Sequence, residues 1–165
     1  ATPSATPANL PVLRNGDFES GPNGDWEENV NGVSASASLV VIPQPIVTPR
    51  SGVYLVWLGG TSNEIQHVSQ TVALTGEAPL YLQFYYQVAS NEAVCTADSA
   101  HVVVNDTTVA TYELCGSNVS ADWVKGTVDL AAYIGQTVTI AIEGVFDEAT
   151  ISSFFVDDVS FVRSP

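Results

Sequence analysis

Two acidic stretches stand near opposite ends of this 165-residue chain, Asn15-Gly16-Asp17-Phe18-Glu19 and Phe154-Phe155-Val156-Asp157-Asp158-Val159-Ser160-Phe161. Each sets carboxylates inside a strand-like apolar run, where an ionised carboxylate is costly unless a partner compensates it. Lys and Arg number only 4 against 18 Asp and Glu, so basic partners are scarce. A hard cation is the cheaper compensation, since Ca²⁺ gathers about six to eight oxygen ligands and favours carboxylates. Asp158 alternates to the opposite face from Asp157 and reads as the surface member of the pair.

A second set of candidate residues is the row Tyr81, Gln83, Tyr85 and Gln87. Aromatic faces and planar amides are the groups that hold sugars, by stacking and by paired hydrogen bonds to hydroxyls. His101 joins this row if it lies on a neighbouring strand. The same residue types also suit a sheet surface covered by a loop or by the N-terminal tail. Trp26, Trp57 and Trp123 read as packing residues rather than sugar platforms. Catalysis finds little support. The histidines, His67 and His101, have no Ser or Cys partner in a recognisable motif. There is no Gly-x-Ser-x-Gly, no His-Glu-x-x-His and no Gly-rich phosphate loop. Carboxylate pairs are abundant, but a glycosidase-like acid pair needs a deep cleft. The chain is expected not to be an enzyme.

The elements that must position these residues are strands. Val, Thr, Tyr and Phe recur in short runs separated by turn residues, with no sustained helical periodicity. Strands are expected near Val12–Glu19, Val33–Ile42, Val53–Leu58, Ile65–Leu74, Leu80–Val88, Ala100–Asn105, Thr108–Leu114, Trp123–Asp129, Thr137–Val145 and Phe154–Val162, with one helical turn within Asp129–Gly135. In the clearest of them, Leu80, Leu82, Phe84, Tyr86 and Val88 alternate with the Tyr/Gln row, which places the first set inward and the row outward. So many short strands predict an all-β fold, a jelly-roll β-sandwich of two antiparallel sheets. Cys95 and Cys115 flank a hairpin turning near Asn105-Asp106. Equal arms would bring them together as a disulfide, and the alternative is two buried thiols. A disulfide implies an oxidising, extracellular setting.

The length suits one domain, read as 12–165, preceded by a Thr/Pro-rich linker or tail at 1–11. Such a tail implies a longer parent polypeptide. The net charge of −14 argues against nucleic acid and anionic membrane surfaces, which call for clustered Lys and Arg. No apolar run approaches the length of a membrane helix. Asn105-Asp106-Thr107 and Asn118-Val119-Ser120 match the N-glycosylation pattern.

Several landmarks share one pattern. They are Asn15–Glu19 with Gly21 and Trp26, then Ser51-Gly52-Val53-Tyr54 before Trp57-Leu58-Gly59-Gly60, then Gln70-Thr71-Val72 and Trp123. Val128–Ile140 and Phe155–Phe161 complete it. From about residue 12 to 162 the chain resembles the secreted jelly-roll modules of carbohydrate-binding families 4, 9 and 22, within a superfamily that also holds meprin-like adhesion modules. The resemblance implies a structural Ca²⁺ tying the first strand to the last, held by Asp17, Glu19, a backbone carbonyl near Ser51, and Asp157. It implies a non-catalytic, secreted or cell-surface module whose partner is a polysaccharide or other glycan. The alternative is a structural or adhesive module contacting neighbouring subunits or domains of a surface protein, or an accessory domain of a secreted peptidase. An extended Pro/Thr tail lying across a neighbour's sheet edge would serve that alternative.

Overall fold

The computed structural model describes residues 9–32 and 35–165. The tail expected at 1–11 therefore falls mostly outside the described residues. Ten strands form, in order β1 (Glu27–Asn31), β2 (Val40–Val41), β3 (Leu55–Thr61), β4 (Glu64–Ala73), β5 (Tyr81–Ser90), β6 (Ser99–Val104), β7 (Thr107–Glu113), β8 (Val124–Asp129), β9 (Thr137–Phe146) and β10 (Ser152–Val162). Single 3₁₀ turns stand at Gly116–Asn118 and at Ala131–Tyr133, the latter inside the expected helical turn. The strands make two antiparallel five-stranded sheets, ordered β1-β4-β9-β6-β7 and β2-β3-β10-β5-β8. This is the expected β-sandwich of jelly-roll type.

Period-two alternation builds the core. Leu82, Phe84 and Val88 of β5, Val138, Ile140 and Ile142 of β9, and Phe154 and Val156 of β10 all point between the sheets and are buried. Along one side of the sandwich the filling is aromatic. Tyr86 stacks on Phe154 with centroids 5.2 Å apart, and Tyr112 of β7 closes on Tyr86 at 4.8 Å and on Phe154 at 5.5 Å.

Two expected strands are corrected. Residues 12–19 form turns, because Asn15 and Phe18 sit at φ 47° and 62°, in the left-handed region. The segment is nevertheless held in a strand-like way. The Gln70 amide takes the Arg14 N–H at 2.8 Å and donates to the Arg14 carbonyl at 3.0 Å, mimicking a ladder pair. Val33–Ile42 shrinks to the two residues of β2, with Val33 itself outside the described residues. One strand, β1, was not anticipated. Its Glu-Glu-Asn-Val-Asn sequence has little apolar content, and it forms as an edge paired to β4.

Cys95 and Cys115 are disulfide-bonded across the base of the β6–β7 hairpin, with Cα atoms 4.8 Å apart. Closing the loop between residues 20 apart restricts the unfolded chain by about 3 kcal/mol in the chain-entropy account. The Cys95→Ser/Cys115→Ser protein is therefore expected to lose about 3 kcal/mol in urea unfolding. An unchanged midpoint would show that the bridge constrains nothing the fold does not already constrain.

Candidate functional site

The outward face of the β5 sheet is where most of the candidate residues meet. Tyr81, Gln83, Tyr85 and Gln87 do face outward and are partly exposed. Their direct neighbours across β8 and β10 are Asp129 and Val162 for Tyr81, Thr127 and Ser160 for Gln83, and Lys125 and Asp157 for Tyr85. Gln87 sits in a row with Phe155 and Trp57. His101 does not belong to this face. It lies on β6 in the other sheet, opposite Thr111 and Glu143, with His67 on the far side of Glu143. The sheet order sets β8 and β10, not β6, beside β5, so His101 cannot share a ligand with Tyr85 there.

A strap crosses the face. After β2, at one edge of the sheet, the chain reaches Trp123 beside β8 at the other edge, where the indole N–H donates to the Thr48 carbonyl at 3.2 Å. The segment is not fully extended, since a turn closes within it where the Ile46 N–H donates to the Pro43 carbonyl at 2.9 Å. Three prolines stiffen it, and Pro43 and Pro49 are buried. The strap then turns back over β5, setting the Arg50 guanidinium 3.4 Å above the Tyr85 ring. This cation–π contact occupies the ring face that a sugar would need.

Beneath the returning strap lie the acidic motifs. In β10 one extra residue stands between the pairs Asp157↔Tyr85 and Ser160↔Gln83, a β-bulge with Asp158 at φ 49°. The bulge aims both carboxylates at the strap. Asp157, fully buried, accepts the N–H groups of Arg50 at 2.8 Å and Ser51 at 3.2 Å on Oδ2 and that of Asp158 at 2.8 Å on Oδ1. Asp158 accepts the Ser51 hydroxyl and the Arg50 guanidinium, each at 2.6 Å. It is thus an ion-paired partner of the strap rather than a plain surface residue. Glu19 reaches the same loop from the opposite chain end. Its two oxygens take the Val53 N–H at 3.0 Å, and one also takes the Tyr54 N–H at 2.9 Å. Gly52, at φ +58°, leaves the room that this needs, because a Cβ there would stand 2.0 Å from the Glu19 carboxyl carbon.

The two ends of the chain are therefore tied through loop 50–54, by carboxylates gripping backbone N–H groups. Glu19 and Asp157 are not on neighbouring strands, since Glu19 sits in a turn. Asp17 accepts the Glu19 N–H at 3.2 Å. With Arg50, Gln83, Tyr85, Asp158 and Ser160 it lines a shallow groove of about 320 Å³. The structure thus merges residues from the expected metal set and the expected glycan set into one place. The Asp157 and Glu19 oxygens are directed at N–H donors, and among the described residues no three His, Cys, Asp or Glu side chains converge as a ligand cage. A cation at Asp157 would have to share or displace those amide partners.

Two further carboxylates went unnoticed in the sequence. Glu92 Oε2 and Asp98 Oδ2 are buried oxygens without a hydrogen-bond partner, while their other oxygens take the Val94 N–H at 3.0 Å and the Asp147 N–H at 2.8 Å. Their signal was their position on either side of Cys95, in a loop that the disulfide pins.

No protein-family model and no curated protein matches this sequence. Solved structures do. The carbohydrate-binding module TmCBM61, solved in complex with β-1,4-galactotriose, matches with a TM-score of 0.66 at 16% identity over 94% of this chain and 100% of that one. The K2 cleaved adhesin domain of Lys-gingipain matches at 0.60 and 17%, over 88% and 96%. A family 16 carbohydrate-binding module matches at 0.56 and 19%, over 93% and 99%. Cyclases from Fischerella sp. TAU also adopt this architecture. These likenesses establish the fold. The solved structures include carbohydrate-binding and adhesin modules and do not single out families 4, 9 or 22.

Burial raises the Asp157 pKa to about 6, with the Asp158 charge adding to it, against the lowering by the Ser51, Asp158 and Arg50 N–H groups. A carboxyl with a raised folded-state pKa holds its proton longer when folded, so its contribution to stability is greatest below about pH 4 and is lost as pH rises to about 6. The loss is of order 3 kcal/mol at most. In EDTA, the stability of the wild type relative to Asp157→Asn is expected to fall between pH 4 and 6.5. A flat difference, or a rise, would show that the amide grip outweighs desolvation.

Proposed function

We propose that this protein is a non-catalytic, extracellular glycan-binding module. The observation that carries the reading is the groove beside β5. There Arg50, Gln83, Asp158 and Ser160 present planar and hydroxyl hydrogen-bonding groups at the surface of a rigid sheet, the kind of array that recognises vicinal hydroxyls. The galactotriose complex of TmCBM61, on the same architecture, supports a glycan as the ligand class. The disulfide supports an oxidising compartment. A helix long and apolar enough to cross a membrane is absent among the described residues. Binding here is polar rather than stacked, because Arg50 already covers Tyr85.

A glycan array is expected to return neutral plant or bacterial polysaccharides, galactans included, and Gln83→Ala is expected to weaken the best of them by about tenfold, the loss of paired amide bonds. An array without hits, together with self-association in sedimentation, would favour the second reading, an adhesive or structural module. That reading draws support from the likeness to the Lys-gingipain adhesin domain.

The proposal includes a structural Ca²⁺ bound by Asp17, Glu19, the Ser51 carbonyl and Asp157. Its support is the fully buried, hard-to-ionise Asp157 next to a second carboxylate, the setting in which a cation offsets most cost. The check is thermal unfolding in EDTA against millimolar Ca²⁺. A rise in Tm that vanishes in Asp157→Ala but survives in Asp98→Ala is the expected result. A rise lost only in Asp98→Ala would move the metal to the Cys95 loop, and no rise in any protein would remove it.

A further inference from the structure

On the side of the sandwich where the edges of β7 and β8 part, a cleft of about 650 Å³ opens between the sheets. This is within the range of small-ligand sites and twice the β5 groove. Tyr86 and Tyr112, from the aromatic filling of the core, line its floor, and neither phenol oxygen has a protein partner among the described residues. Both residues are only partly buried, so the phenols stand at the side that opens to solvent. Burial, with Tyr86 alongside, pushes the Tyr112 pKa up to about 12, so the hydroxyl stays protonated and available as a donor.

The walls are built rather than loose. The Ser120 N–H donates to the Val88 carbonyl at 3.1 Å, and the Ser120 hydroxyl accepts the Val88 N–H at 3.2 Å, so the loop docks on β5 as a strand would. The Ser117 hydroxyl lies 3.2 and 3.3 Å from the two disulfide sulfurs. The Asn118 amide donates to the Glu113 carbonyl at 3.0 Å, leaving its own oxygen free. Val119 and Val124, 49% and 39% exposed, supply an apolar rim. Lys and Arg are absent from the lining, and Glu113 stands at the mouth.

We propose that this cleft is a second ligand site, taking the end of a neutral saccharide. The ligand class rests on the glycan reading above, and the location rests on the cleft alone. Phenol and amide groups would bond ring hydroxyls, and the valines would cover the apolar C–H face. Glu113 and the net charge of −14 disfavour an acidic sugar.

The test is titration of protein carrying ¹³C-labelled aromatic rings with xylotetraose, mannotetraose and galactotetraose, with trigalacturonate as the acidic probe. Unglycosylated protein is used, since the Asn118 sequon lies on the rim. A neutral tetraose is expected to move the Tyr86 and Tyr112 ring signals. Tyr112→Phe should weaken that response about tenfold, and Val124→Trp, which fills an exposed rim position, should abolish it. Ring signals that stay still with every probe, or that move equally in Val124→Trp, overturn the cleft. In either case, shifts of the Tyr81 and Tyr85 rings, which flank Gln83, tell whether the glycan reading survives without it. Stronger shifts with trigalacturonate than with any neutral probe would overturn the ligand class.

Discussion

Loop 50–54 is the joint on which the rest of the arrangement depends. Its backbone N–H groups point in two directions and are taken by two carboxylates from opposite ends of the chain, Asp157 for Arg50 and Ser51, Glu19 for Val53 and Tyr54. Charge-assisted bonds to backbone donors are shorter and stronger than neutral ones. They also bring together segments more than a hundred residues apart in sequence, the kind of contact whose closure entropy must be met by enthalpy. The bulge in β10 exists in service of this joint. A regular strand would send Asp158 inward, whereas the extra residue turns it toward Arg50 and lets Val159 return to the core and bond Gly16.

That joint also decides what the β5 face can offer. An extended outward row of tyrosine and glutamine looks like a stacking platform. With the strap anchored at Trp123, Arg50 and Ser51, the same row becomes the floor of a narrow polar groove. Burial of Phe155 and Asp157 at outward-facing positions follows directly, with Trp57 packing over Phe155 at 5.4 Å. The aromatic content that a glycan module would use for stacking has instead gone into holding the strap and into the filling between the sheets. On the proposed glycan reading, recognition would fall to hydrogen-bonding edges, to Gln83 and Asp158 on one side and to the tyrosine hydroxyls of the β7–β8 cleft on the other.

Much of this was legible in the chain, and the failures have physical causes. Alternation in Leu80–Val88 told inward from outward residues, because the strand is an inner one of its sheet and half-buried. The hairpin turn at Asn105-Asp106, both at positive φ, located the disulfide. The first acidic motif misled, since its apolar spacing resembles a strand while its Asn and Gly residues permit turns. His101 was misplaced because strand order is not local information. Position 101 faces outward as supposed, but on the other sheet. The strap was invisible for a similar reason. Its prolines mark a non-strand, and nothing local says which face it crosses.

The balance at Asp157 shows where a cation question can be posed on this fold and where it cannot. Three N–H donors favour the ionised form, yet burial still outweighs them and the pKa stays high. Glu92, by contrast, has its pKa lowered, first by the Val94 N–H, so the amide contact outweighs burial there. Both carboxylates are buried, and the difference is the neighbouring Asp158 charge, which adds to desolvation at Asp157 and has no counterpart at Glu92. Asp157 sits beneath the strap and next to a second carboxylate that is ion-paired to Arg50. An added positive charge is worth most where water is excluded and the existing cation is already engaged. At Asp157 both conditions hold, and any ion bound there would act first on the strap and through it on the groove, coupling stability to ligand binding through one loop.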